Sequence, residues 1–274
     1  MAKLDKIKFS KNEIKKILSD KKLNKLRKKS IEQSEKSNSS QKNILLLKHG
    51  KKYPYDYVNK MYNMITRNCS YDLKFYCLTE DQTGIREEIT CIPLPTNLPV
   101  SGWWYKPYIF SKDLPIEGTI LYLDLDLVIT GNIDILFDYA DGDYCVLRDF
   151  TRAMRPGWQK YNSSVIRFSK GQLDYVWDKF RRSSQHYMRQ FFGDQDLLYD
   201  LTQGTATYWP DKWIMSWKWE IRKDKQWKPG GVKGNRTFNT IEHCEPPKEC
   251  CIVVFHGDPN PHNCYDPYII ENWL

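Results

Sequence analysis

No stretch of the sequence holds the roughly twenty uncharged apolar residues that a membrane-spanning helix needs, so nothing in it reads as a bilayer span. The charges at the N-terminus are not followed by an apolar run, so the start does not look like a secretory signal peptide. Both absences predict a cytoplasmic protein, bacterial or, if viral, working in the host cytoplasm. Cysteine pairs at two-residue spacing, the mark of ordinary zinc motifs, are missing as well. Of the eight cysteines, Cys77, Cys91 and Cys145 fall in strand-like apolar runs, where a reduced thiol packs as a small hydrophobe. His243-Cys244 with Cys250-Cys251 reads as a loop with incidental thiols rather than a zinc site.

Excess positive charge is absent from most of the chain. The net charge is +8, yet residues 1–42 carry fourteen Lys/Arg against five Asp/Glu, and the other 232 carry twenty-eight against twenty-nine. The arm has a pattern of its own. Ser10-Lys11-Asn12-Glu13 has the form of a capping box, and Ile14, Ile17 and Leu18 follow at helical spacing, which predicts a basic amphipathic helix over 11–29. A polar stretch without periodicity then leads to Lys42. The expected organisation is an arm over 1–42 and a catalytic domain over 43–274, large enough for a substantial core. Ten Trp and eighteen Tyr suit a cleft for sugars or bases, although aromatics serve cores equally well.

Within the domain, short apolar runs alternate with helical patterns. Ile44 to Leu47 and Leu73 to Leu78 read as strands and 55–66 as a helix, which predicts a mostly parallel α/β sheet covered on both faces. Ligands of such sheets gather beyond the carboxyl ends of the strands. Thr119 to Thr130 reads as the strongest strand, interrupted by Asp124 and Asp126. Two charges in a buried run need compensation. In an extended chain they share one side, with Leu125 on the other, as oxygen ligands for a divalent cation would. A second apolar run, Cys251 to Phe255, ends in His256-Gly257.

These features resemble a GT-A-fold glycosyltransferase, close to the family 8 group of glycogenin and the bacterial galactosyltransferases. The resemblance runs from Asn43 to Asn263 through seven blocks in order: Asn43 to Tyr53, Tyr76 to Asp81, Gly102-Trp-Trp-Tyr-Lys106, Tyr122 to Asp126, Asn162 to Arg167, Gly193-Asp-Gln-Asp196 and Phe255-His-Gly257. It implies a nucleotide-sugar donor, a UDP-sugar, whose diphosphate is held by a metal on Asp124, Asp126 and His256, with Leu125 between. A mixed oxygen and imidazole set favours Mn2+, with Mg2+ the alternative. The metal acts as a Lewis acid on the leaving diphosphate. Lys106 and Lys218 would neutralise phosphate, although each could equally pack its stem on neighbouring Trp rings. Lys48, Tyr53 and Thr79 lie where the family binds base and ribose. Many relatives carry a lysine soon after the His-Gly pair. Here Asp258-Pro-Asn-Pro-His262 follows, which passes a phosphate role to the Gly257 amide or to His262.

On the acceptor side the resemblance points to Asp149, Asn162, Asp194 and Gln195. Asp194 opens a helix-like run and would serve as its N-cap too. Family 8 implies retention of anomeric configuration, and inversion with Asp149 or Asp194 as general base remains open. A glycan or lipid-linked glycan is the expected acceptor. The Lys-rich arm also suits a polyanion, either an anionic membrane or phage-type DNA with hydroxymethylated pyrimidines. Two other classes remain. A sugar-phosphate nucleotidyltransferase would need a Gly-rich basic loop, which Lys48-His49-Gly50-Lys51-Lys52 only faintly resembles, and a non-catalytic polyanion-binding protein would work through the arm alone.

Overall fold

The computed structural model describes residues 41–96, 98–222 and 244–274. The helix expected over 11–29 and the His243 position lie outside the described residues.

Strand β1 (Lys42–Lys48) is the middle of the fold because it has no polar face to offer water. Ile44 and Leu46 enter one core and Leu45 and Leu47 the other, all buried. It pairs in parallel with β2 (Leu73–Thr79) on one side and β4 (Thr119–Leu123) on the other. Helix α1 (Tyr55–Arg67) makes the crossover, burying Val58, Met61 and Ile65 at helical spacing. Beyond β2 lies β3 (Ile89–Pro93), also parallel. Beyond β4 come β7 (Tyr161–Ser169), antiparallel to both its neighbours, then β6 (Cys145–Arg148) and, parallel to β6, the short β8 (Thr207–Tyr208). The seven strands run β3-β2-β1-β4-β7-β6-β8, a mostly parallel sheet flanked by helices, as the sequence pattern predicts.

The flanking helices are α2 (Ile135–Asp138), α3 (Asp174–Arg182), α4 (Ser184–Gln190), α5 (Asp194–Thr202) and α6 (Pro267–Asn272). Arg167, buried in β7, is satisfied by the Leu136 and Phe137 carbonyls of α2 at 2.8 and 3.0 Å. Covering a sheet face with a cation is tolerated because backbone oxygens take its donors. A second sheet, β5 (Leu127–Ile129), β10 (Ile252–Val254) and β9 (Ile214–Ser216), packs into the core beside α1.

One expectation is corrected. Thr119 to Thr130 is not a single strand but two, β4 in the large sheet and β5 in the small one, and the break is Asp124-Leu125-Asp126. The Asp124 N–H donates to the Ser164 carbonyl of β7 at 2.9 Å, and the Asp126 carbonyl accepts from the Phe255 N–H at 2.9 Å. The triplet therefore hands the chain from one sheet to the other. Physically, a covered strand cannot hold two carboxylates, whereas a crossing point at the sheet edge leaves both half-buried while Leu125 stays inside.

Candidate active site

Two cavities lie near the crossing point, and its three residues line the first of them. The first, of about 290 Å³, is lined by Tyr53, Trp103, Lys106, Asp124, Leu125 and Asp126 among others. Lys106 arrives on a 3-10 turn, Gly102–Phe110, and is buried. Its ammonium sits 2.9 and 3.0 Å from the Asp124 oxygens, 3.0 Å from Ser163 Oγ and 3.5 Å from Asp194 Oδ2. Burial pulls this ammonium down, but the Asp124 and Asp194 charges outweigh it and hold it at about 12. The Tyr122 hydroxyl donates to Asp124 at 2.6 Å, and Ser163 donates to Asp194 at 2.6 Å. Asp194 is lifted above the usual carboxylate range by burial, with Lys106 working against it.

Asp126 takes a hydrogen bond from the Tyr53 hydroxyl at 2.8 Å. Burial and then the neighbouring charge of Asp124 push its carboxyl up to about 6. Burial is the larger cause, and a cation beside the two carboxylates would oppose both causes. With only two protein carboxylates, the donor set fits a hard divalent ion that completes its shell with phosphate oxygens and water.

The third implied ligand directly follows Phe255, whose N–H donates to the Asp126 carbonyl at 2.9 Å. His256, after β10, lines the second cavity, of about 370 Å³, with Asp149, Trp158, Asn162, Gln195 and Trp219. Its Nε2 shares a 2.7 Å hydrogen bond with Ser216 Oγ, and its ring stacks on Phe150 at 5.2 Å. Burial, and then the charge of Lys218, lower its pKa to about 3, so the imidazole is neutral at physiological pH. Among the described residues no group of three or more His, Cys, Asp or Glu able to hold a metal is present. Of the three ligands implied by the resemblance, the two carboxylates line the first cavity, and the imidazole lines the second with its Nε2 on Ser216.

Other expected residues divide in the same way. Lys218 sits on the turn Trp217–Ile221, and its Nζ lies 3.3 Å from where a Cβ on Gly257 would stand. Gly257 has φ of +78°, so a glycine there answers both the backbone and the approaching ammonium. Lys48 is buried at the end of β1, but its chain neighbours Leu47 and His49 line the first cavity instead. Thr79 closes a turn, its hydroxyl donating to the Asp81 carbonyl and accepting the Asp81 N–H. His262 is held by the Tyr57 hydroxyl. Asp194 is the first residue of α5 rather than its cap, because Gly193 takes the cap position and the carboxylate turns to Ser163 and Lys106. Asp149 does cap, accepting from Thr151 N–H at 3.0 Å at the start of the 3-10 turn Phe150–Ala153.

Sequence reasoning missed His49, Lys52, Ser163 and Trp158. His49 and Lys52 stood in a conspicuous basic cluster, and only strand alternation decides which of its members faces the cavity. Ser163 follows Asn162 directly, and no spacing rule singles it out.

Several solved structures share this fold. Glycosyltransferase GlyE of Streptococcus pneumoniae TIGR4 superposes with TM-score 0.58 at 16% identity, over 85% of this chain and 62% of that one. Its apo form gives 0.58 at 15%, over 85% and 61%. The bifunctional glycosyltransferase WbbM, also apo, gives 0.57 at 12%, over 86% and 50%. This chain has the fold of solved glycosyltransferases. It spans only about half to three fifths of those chains' length. No family model and no curated protein matches the sequence.

Proposed function

We propose that this chain is a metal-dependent glycosyltransferase resembling family 8, which moves a hexose from a UDP-sugar to a hydroxyl of a glycan. The observation that carries the reading is the crossing point itself. It sets Asp124 and Asp126 together at the mouth of one cavity, with Lys106 and Asp194 behind them and a second cavity next door. A divalent ion on the two carboxylates, Mn2+ or Mg2+, would supply Lewis-acid stabilisation to the departing diphosphate.

The chain's own residues do the rest. Lys106 is a fixed positive charge whose place does not change as the reaction proceeds, the preorganisation that stabilises a leaving anion cheaply. Lys218 stands ready on the Gly257 side. Tyr53 is hydrogen-bonded to Asp126, so stacking on the base requires it to give up that bond. Asp194 and Gln195, consecutive at the start of α5, face opposite duties: Asp194 holds Lys106, and Gln195 opens into the second cavity. Of the two carboxylates that could accept the incoming hydroxyl's proton, Asp149 lines this cavity while Asp194 is committed to Ser163 and Lys106.

The test is a donor-hydrolysis screen with nucleotide sugars and manganese. Release of nucleoside diphosphate that stops with chelator and in Asp126→Asn supports the reading, and release indifferent to both overturns it. The anomeric configuration of the product, read by NMR, separates retention from inversion by Asp149.

A further inference from the structure

We infer that the second cavity is an acceptor site for a neutral, hydroxyl-rich sugar, and that it rejects phosphate-bearing acceptors such as DNA. The inference rests on the glycosyltransferase reading for its catalytic meaning, but its binding chemistry stands on the cavity alone.

The cavity's polar groups are unusually unspent. Asp149 uses one carboxylate oxygen on Thr151 N–H and has no partner for the other among the described residues. Asn162 gives its Oδ1 to Ser164 N–H and keeps its Nδ2 donors. The Gln195 amide, in the same lining, makes no hydrogen bond among the described residues. The set holds donors and acceptors together. A sugar hydroxyl is one donor and two acceptors at once and can satisfy both kinds, and the apolar rings of Trp158, Trp219 and Phe150 supply the faces that a sugar's C–H groups cover.

Charge selects against the alternative. Two carboxylates line the cavity, Asp149 and Asp196, against one lysine, Lys160. Lys160 is already paired with Asp196 at 3.4 Å, and His256 spends its Nε2 on Ser216 Oγ at 2.7 Å. Arg155 lies 5.7 Å from the Trp158 ring and is not part of the lining. A phosphate entering here would meet the open oxygen of Asp149 with no uncommitted cation in the lining. A neutral hydroxyl would donate to it.

Intrinsic tryptophan fluorescence of the full chain, without donor, reads binding directly. The probes are lactose, maltose and cellobiose, against sialyllactose and a hydroxymethylated-pyrimidine DNA duplex. The expected result is saturable quenching by at least one neutral disaccharide, little changed by salt, and weakened about tenfold in Gln195→Ala. With any active donor, the same variant is expected to raise the acceptor KM about tenfold while the donor KM stays within about twofold. Asp149→Asn keeps the shape but removes the charge, and is expected to narrow the gap between sialyllactose and lactose. Quenching by the duplex or by sialyllactose but by no neutral sugar overturns the proposal, as does neutral binding that Gln195→Ala leaves intact. Neutral binding without donor hydrolysis would overturn the glycosyltransferase reading and leave the site standing.

Discussion

The two cavities near Asp124-Leu125-Asp126 are built on opposite economies. In the first, the buried charges have already found mates: Lys106 holds Asp124 and Asp194, Tyr122 holds Asp124, and Tyr53 holds Asp126. In the second, Asp149, Asn162 and Gln195 keep hydrogen-bonding capacity in hand. Strong charges held out of water cannot be left naked, because desolvated charges without partners are costly. A site for neutral hydroxyls can stay open, since its groups lose little by waiting in contact with water. The difference teaches that the first cavity is under electrostatic tension and the second is not.

The hardest way to break that comparison is at Asp126. Asp126→Asn removes one of two carboxylates available to a divalent ion, and metal-dependent donor turnover is expected to fall on the order of 10³-fold, measured by nucleoside diphosphate release. Next comes the cation. Lys106→Met leaves Asp124 and Asp194 facing each other without compensation, and about 3–5 kcal/mol of stability should be lost in urea denaturation. Adding Asp194→Asn to that variant should recover part of the loss, since one stranded charge is gone.

The sequence made some of this legible and hid the rest for definite reasons. Ile44 to Leu47 declared the central strand because a run apolar on both alternating faces has only one stable place, between two layers. Asp124 and Asp126 were visible for the opposite reason, as charges where a strand should have none. What the pattern could not reveal is that the strand ends there. The break depends on Ser164 and Phe255, forty and about one hundred thirty residues away, taking the backbone bonds of Asp124 and Asp126. His256 illustrates the same limit. Its strand-end position is readable, but its commitment to Ser216 is a contact between β9 and the end of β10 that no local spacing encodes.

Acid titration sharpens the comparison, because the two cavities should respond with opposite sign. Asp126 is raised from 3.8 to about 6, so the native state holds its proton longer than the unfolded chain. Its contribution is fully present below the ordinary carboxylate value and is lost as pH rises through about 6. His256 is lowered from 6.5 to about 3, so the unfolded chain takes up a proton that the native state refuses, and stability falls as pH drops through that window. Urea midpoints against pH should therefore show a steeper acid loss in Asp126→Asn than in the parent. In His256→Asn the acid limb should flatten. Equal slopes in all three proteins would mean that neither group is buried as described.

The smallest effect is the most discriminating control. Lys160 in the second cavity pairs with Asp196 at 3.4 Å, as Lys106 pairs with Asp124 in the first, and a count of ion pairs would treat them alike. Their surroundings differ. The Lys160 side chain is 48% exposed and that of Lys106 only 9%. Water already solvates the Lys160 ammonium and screens its partner, so its pair gains little on folding, and Asp196 set free would simply hydrate. Lys160→Met should cost about 0–1 kcal/mol in the same urea titration, well below the loss for Lys106→Met. Comparable losses would show that the second cavity carries the same tension as the first, and the contrast between a braced first cavity and an open second one would have to be given up.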